Sequence, residues 1–335
     1  MKPFFIFSNE QKHALFTALS SVKANPYKEH QRFLNEVEGL IESSQHIELI
    51  SSVCEKIKFE RDNGVSEAHV LRNCPIDTEV PKLNNDDPLN DKYLKKSTFL
   101  GEAFLALISK LLDNPLLSYE TRHNGDFFTD VIANNKYSGK LTGFSDGELV
   151  FHNDRTAHPV RADFIYLLGL SCPTDDLIYT SYISGNNLLQ HISKEHSEIL
   201  RKPYFLTKYD VYSKDNNDAL DASTPHAILD SNNCIRYLDT LTGTSGGAPE
   251  EAKDALIAFK NAVSLVAKTR HRILTGDLLM FSNQRGLHNR EKIDVQSEDA
   301  SKSRWLLKTY TFRSAETAKT FQDKWVNGIY GRVSD

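Results

Sequence analysis

His152-Asn153-Asp154 places an imidazole and a carboxylate two positions apart. In a strand, residues i and i+2 project from one face, so both side chains can reach a single ion. With a second histidine from elsewhere in the chain they form the facial triad of a non-haem iron centre. Three ligands on one face leave three positions for a bidentate cosubstrate and for dioxygen. The triplet alone says little. With 12 His and 45 acidic residues in 335, roughly one or two such triplets arise by chance. Three occur: His46-x-Glu48, His152-x-Asp154 and His196-x-Glu198. The first and third lie in helical texture, where i and i+2 diverge. Only the second follows a strand-like run, Glu148 to Phe151. Taken singly, a triplet of this kind is more often a surface histidine beside an acid.

The downstream sequence adds partners. Thr275 to Asn283 (TGDLLMFSN) reads as a turn followed by a strand. Arg285-Gly286-Leu287-His288 follows, placing His288 at the end of a strand that could return beside the first. Sixteen residues on, Arg304 leads the apolar and aromatic run Trp305-Leu306-Leu307-Lys308-Thr309-Tyr310. An inward arginine there wants a carboxylate, because an unpaired buried charge is costly. Guanidinium and carboxylate in a bidentate fork are the strong form of that contact. A structural salt bridge would satisfy Arg304 equally well.

These residues need elements to position them. The first third reads as helical. Ser8 with Gln11 is a capping-box pair that predicts a helix to about Val22, stopped by Asn25-Pro26. Phe33, Leu34, Val37, Leu40 and Ile41 repeat at helical spacing, and more helix follows through Ile50, Val53 and Ile57. Residues 73 to 93 hold three prolines and many Asn and Asp, the texture of an ordered crossing loop. A further helix spans Phe99 to Leu112. Strand-like runs then follow at Phe127 to Ile132, Glu148 to Phe151, Phe164 to Leu170, Leu177 to Ile183, Asp277 to Phe281 and Arg304 to Phe312. Helices are expected between them at Gly185 to His196 and Pro249 to Ala267. The expected fold class is α+β: one domain, residues 1–335, with a β core, helices packed outside it and a mainly helical part over 1–95. Two long polar segments, 73 to 93 and 213 to 233, are of the kind that often cover sites.

The order His-x-Asp, then Gly-Asp-Leu-Leu-x-Phe into Arg-x-x-His, then Arg-Trp-Leu, resembles the clavaminate synthase-like (TauD-related) Fe(II)/2-oxoglutarate oxygenases. Pro159 to Phe164 with Leu167-Leu168-Gly169-Leu170, and Asn124-Gly125 before Phe127 to Val131, agree with it. The resemblance covers roughly residues 99 to 313. It implies a double-stranded β-helix (jelly-roll) core over 96–335. It also implies that His152, Asp154 and His288 bind Fe(II), and that Arg304 clamps the distal carboxylate of 2-oxoglutarate. Thr180 would add a hydroxyl to that carboxylate, with Ser181 a near equivalent. Lys308 stands where the family often has an arginine for the substrate α-carboxylate. Asp154 stands where it more often has Glu. Halogenating relatives carry a small residue there, so hydroxylation is implied, coupled to decarboxylation of 2-oxoglutarate to succinate and carbon dioxide with O2.

The same resemblance points to a free L-amino acid as substrate, lysine first, with arginine, asparagine, a pipecolate-like or a carrier-tethered amino acid as alternatives. A cationic side chain would need a buried acid, for which Asp239 is the candidate. Asn124 and His123 are candidates for the amino-acid head group, although such residues taken singly are more often turn formers.

Composition narrows the classes. The net charge of −5 and the absence of a long basic cluster give no nucleic-acid footprint. The N-terminal apolar run is too short for a signal segment, and no stretch approaches the roughly 18 apolar residues of a membrane span. Cys54, Cys74, Cys172 and Cys234 have no CxxC spacing and read as free thiols in a reducing cytoplasm. The sequence leaves open a homo-oligomer. A zinc hydrolase of the HExxH type is excluded by the lack of that motif. A non-catalytic cupin-like metal-binding barrel is the rival from another class, and Arg304 and Thr180 argue against it.

Overall fold

The computed structural model describes residues 1–43 and 47–334. Strand β1 (Phe5–Ile6) leads into helices α1 (Asn9–Leu19), α2 (His30–Ser43) and α3 (Ile47–Asp62). The Ser8–Gln11 capping box is complete, but α1 ends at Leu19. His46 of the first His-x-acid triplet lies outside the described residues. After β2 (Ala68–Arg72), the segment expected as a loop over 73–93 is irregular only to Asp87. Helix α4 (Pro88–Lys95) starts there, with Asp87 as its cap and proline in its first turn. That Asp-Pro start is a helix signal that the surrounding Asn and Asp obscure. Helix α5 (Leu100–Leu111) follows as expected and is buried along almost its whole length.

Beyond it run β3 (Leu116–Tyr119), β4 (Phe128–Val131), β5 (Leu149–His152), β6 (Phe164–Ser171) and β7 (Leu177–Ser184). The helix expected over 185–196 is instead two short ones, α6 (Gly185–Leu189) and α7 (Lys194–Leu200). Ser193 caps the second and so restarts it, which keeps His196 and Glu198 on a helix as expected. Then come β8 (Phe205–Thr207), α8 (Val211–Asn216), β9 (Thr242–Thr244), α9 (Glu250–Leu265), β10 (Thr269–His271) and β11 (Leu278–Ser282). The chain closes with β12 (Gly286–Asp294), α10 (Glu298–Lys302), β13 (Trp305–Thr311), α11 (Ala315–Lys319) and β14 (Arg332–Val333).

The strands form two principal sheets. The larger runs β1-β2-β11-β6-β13-β3-β14, with β4 also paired to β13. The smaller runs β10-β7-β12-β5. Period-two alternation explains how the larger sheet is covered on both faces. In β6, Tyr166 and Leu168 join the helices, in a core with Phe33, Phe104 and Leu107. Ile165 and Leu167 join the opposite cluster, with Leu279, Phe281, Leu306 and Tyr182. Tyr182 belongs to β7, so this inner cluster joins the two sheets. Helix α9 packs Leu256 and Phe259 against Ile183, Leu287 and Tyr237 on the far side of the smaller sheet. Burial on both faces is why β6 reads as a continuous apolar run.

Strand β12 corrects the sequence reading. His288 was expected at the end of the 277–281 strand, but it stands on a strand of its own. HNREKID is too polar to show as an apolar run. It is a strand because β7 pairs with it from Gly286↔Ser184 to Asp294↔Leu177.

Candidate active site

The smaller sheet sets the metal ligands. β5 and β12 are antiparallel, with His152 directly opposite His288. The strand ends at His152, so Asp154 sits in the turn just beyond it, not within the strand as expected. The alternation of side chains nevertheless continues. Asn153 turns away from the ion site, where its amide donates to the Gly286 carbonyl at 2.8 Å and accepts from Tyr237 N at 2.8 Å. Asn283 accepts from Asp154 N at 2.8 Å and donates to its carbonyl at 3.1 Å. The backbone of the triplet is thus tied on both sides.

The three ligand atoms lie within 4.8 Å of one another. Asp154 Oδ1 is 3.2 Å from His152 Nε2 and 3.5 Å from His288 Nε2. The imidazole rings are 4.2 Å apart and tilted. His152 Nδ1 bonds the Val150 carbonyl at 2.7 Å, which turns Nε2 toward the site. Two imidazoles and one carboxylate converging from one side fit a non-haem iron(II). The charges agree. Burial raises the Asp154 carboxyl, but the Lys308 ammonium and the two histidines outweigh this and hold it well below the usual carboxylate range. His288 is pushed down to about 4 by burial and by His152, so it is a neutral ligand.

The triad opens on a cavity of about 130 Å³ between the two sheets, which Arg304, Thr180 and Lys308 also line. Arg304 is 8% exposed. Burial lowers its guanidinium, and its electrostatic neighbours in the protein are Cys172 and Asp176. No carboxylate among the described residues pairs with it, which removes the salt-bridge reading. Thr180 faces the same space, whereas the Ser181 hydroxyl bonds Glu291 at 2.5 Å on the other face of β7. Arg290 is the site residue that sequence reasoning missed. It lines the cavity, is pushed down to about 9 by burial and by Arg304, and donates to the Ser145 and Gly147 carbonyls at 2.7 and 2.8 Å. It is a second, half-buried cation at the end of the cavity that holds Arg304. The signal available in the sequence was its place two residues after His288, on the same strand face.

The expected substrate residues divide. Lys308 reaches the site, where its ammonium bonds Asp154 Oδ2. Asn124 does not: it is exposed, left-handed at φ 56, and hydrogen-bonded to Tyr93 at 3.4 Å. His123 lines the cavity. Asp239 lies outside the lining, held by the Tyr237 hydroxyl and by Lys260 at 4.0 Å. Three acids line the cavity: Asp130, Asp154 and Asp210. Each is paired, Asp130 with Lys92 at 2.7 Å, Asp154 with Lys308, and Asp210 with Arg122 at 3.0 Å. The lining also takes in residues 141–144 and 208–210, and none from 73–93 or 213–233. Among the described residues no helix is long and apolar enough to cross a membrane.

No family model matches the chain. It is similar to the L-asparagine oxygenase of Streptomyces coelicolor, 24% identical over 268 residues that span 79% of this chain and 76% of that protein. Its fold matches a solved asparagine oxygenase in complex with Fe(II), 2S,3S-3-hydroxyasparagine and succinate, with TM-score 0.80, 18% identity and 99% of both chains covered. It also matches the non-haem iron oxygenase OrfP in complex with Fe and α-ketoglutaric acid, with TM-score 0.75, 16% identity and 98% and 99% of the two chains covered. A variant of OrfP in complex with (3S)-hydroxy-L-Arg gives TM-score 0.79 at 17% identity, over 98% and 99% of the chains. The family resemblance seen in the sequence is borne out. The chain shares its fold with non-haem iron amino-acid oxygenases, and the expected enzyme class, iron and 2-oxoglutarate agree with these neighbours. None of these is named for lysine.

Proposed function

We propose that the chain is an Fe(II)- and 2-oxoglutarate-dependent hydroxylase of a free L-amino acid with an uncharged polar side chain, asparagine foremost. The observation that carries the class is Arg304, a buried cation with no ion-paired acid among the described residues, facing the same cavity as two histidines and a carboxylate. A purely structural metal site gives such a guanidinium no role. The two principal sheets are read as the double-stranded β-helix, with residues 1–95 packed on it as part of one cytoplasmic enzyme domain.

When bound, iron with 2-oxoglutarate and dioxygen supplies the oxidising power that replaces a C–H hydrogen by hydroxyl and yields succinate and carbon dioxide. The protein groups bind and orient. His152, Asp154 and His288 hold the ion. Arg304 takes the distal carboxylate of 2-oxoglutarate in a charge-assisted fork, with Thr180 as a second donor and Arg290 adding positive potential. Lys308 serves the amino acid's own carboxylate. Ile165, Leu167 and Leu306 on the larger sheet form an apolar wall that limits water around the reacting carbon.

The substrate reading rests on charge. A lysine or arginine side chain would bring a further cation into a cavity whose three acids are already paired, and an unpaired buried charge is costly. An amide side chain carries no such demand. The 24% identical relative is named for asparagine, which supports this choice over the lysine favoured by sequence alone.

The test is incubation of iron(II)-loaded protein with 2-oxoglutarate, air and a panel of L-amino acids, with mass detection of products heavier by one oxygen. Asparagine should react best. Reaction of lysine or arginine alone would defeat the substrate reading and leave the class standing. No product and no succinate with any amino acid would defeat the class.

A further inference from the structure

Asp154 shows its two oxygens to different partners. Oδ1 faces His152 Nε2 at 3.2 Å and His288 Nε2 at 3.5 Å. Oδ2 accepts the Lys308 ammonium. The Asp154 backbone is fixed through its N–H and its carbonyl by Asn283, so side-chain rotation is the freedom left to the carboxylate. A carboxylate with two free oxygens can grip an ion with both, and would then occupy a position that a chelating cosubstrate needs.

Lys308 is placed to prevent this. It lies in the middle of β13, with β6 on one side (Lys308↔Leu167) and β4 on the other (Lys308↔Thr129). Its Nζ stands 4.5 Å from the Tyr310 ring centroid, which steadies the ammonium against an aromatic face. We propose that Lys308 is a positioning residue that keeps Asp154 a one-oxygen ligand, its ammonium holding Oδ2 so that only Oδ1 reaches the ion. The inference rests on the reading of the triad as an iron centre. The residue type matters. An ammonium is a compact charge that can hold one oxygen, whereas a guanidinium presents a flat fork that takes both and would compete with the ion for Oδ1. With Asp154 and Tyr310 each engaging the ammonium, its third hydrogen remains for the substrate carboxylate, so one side chain links the coordination mode to substrate placement.

The experiment uses the full chain loaded with cobalt(II), whose visible absorption weakens as coordination number rises, with 2-oxoglutarate as the titrant. Circular dichroism first confirms that each variant is folded. In Lys308→Met, freed Oδ2 should join the ion. The cobalt absorption should then drop and 2-oxoglutarate affinity fall about tenfold or more, the size of effect that outer contacts of a metal ligand carry. In Lys308→Arg the charge is kept, yet cobalt affinity itself should fall about tenfold or more as the fork draws on Oδ1. A Lys308→Met protein with wild-type absorption and wild-type 2-oxoglutarate affinity would overturn the proposal, even if its KM for the amino acid rises. A wild-type chain that takes up no cobalt would overturn the metal-centre reading as well, which separates the two failures.

Discussion

A buried guanidinium without an ion pair is expensive to keep, and Arg304 has none among the described residues. Its cost is offset when a carboxylate-bearing ligand enters the cavity. Arg304→Met should therefore weaken 2-oxoglutarate on the order of 10- to 100-fold, the equivalent of losing one charge-assisted hydrogen-bond pair. Metal uptake should hardly change; calorimetric titration of the apoprotein with cobalt reads the metal, and titration of the cobalt-loaded protein with 2-oxoglutarate reads the cosubstrate. Unchanged affinity would return Arg304 to a structural role. At this scale the sequence was informative where chemistry restricts the residue type: two histidines, one carboxylate and one arginine. It was uninformative where many types would serve. Asn124 and Asp239 came only from the resemblance of their segments, and tertiary placement puts one on the surface and the other outside the cavity lining. Arg290 drew no reading, because nothing local reveals that β7 and β5 enclose the polar run that carries it.

At the scale of elements, the site depends on how closely β12 approaches β7. Gly286 opens β12 two residues before His288, and its carbonyl receives the Asn153 amide. A Cβ at this position would overlap the Tyr182 phenol and the Ile183 carbonyl. Gly286→Ala should cost about 1–3 kcal/mol of stability through overpacking. It should also weaken metal binding, because His288 and Asn153 move with the strand. Chemical denaturation and cobalt titration of the same variant check the two parts; a stable variant with normal cobalt affinity would show that this contact is not limiting. The pattern of elements was readable where a local signal was strong: the capping box of α1, the apolar face of α5 and the apolar run of β6. It failed at β12, which is polar but sandwiched between partners. It failed again at 185–196, where an internal cap outweighs a continuous helical pattern.

For the whole molecule, the larger sheet is the support. Helices cover one of its faces, and the other face, with the smaller sheet, encloses the cavity. Residues from β4, β6 and β13 on one side and from β5, β7 and β12 on the other meet there, so no single segment contains the site. That separation explains why the class could be read from residues scattered over 152 to 308 while the substrate could not. The substrate depends on which acids remain unpaired after folding, and that is a property of the assembled cavity. The central claim is that the triad couples 2-oxoglutarate consumption to amino-acid hydroxylation. It is tested most directly by measuring succinate and oxygenated amino acid together, in wild type and in Asp154→Ala. Wild type should form the two in equal amounts, and Asp154→Ala should bind little iron and form neither. Wild-type-like turnover by Asp154→Ala would contradict the account.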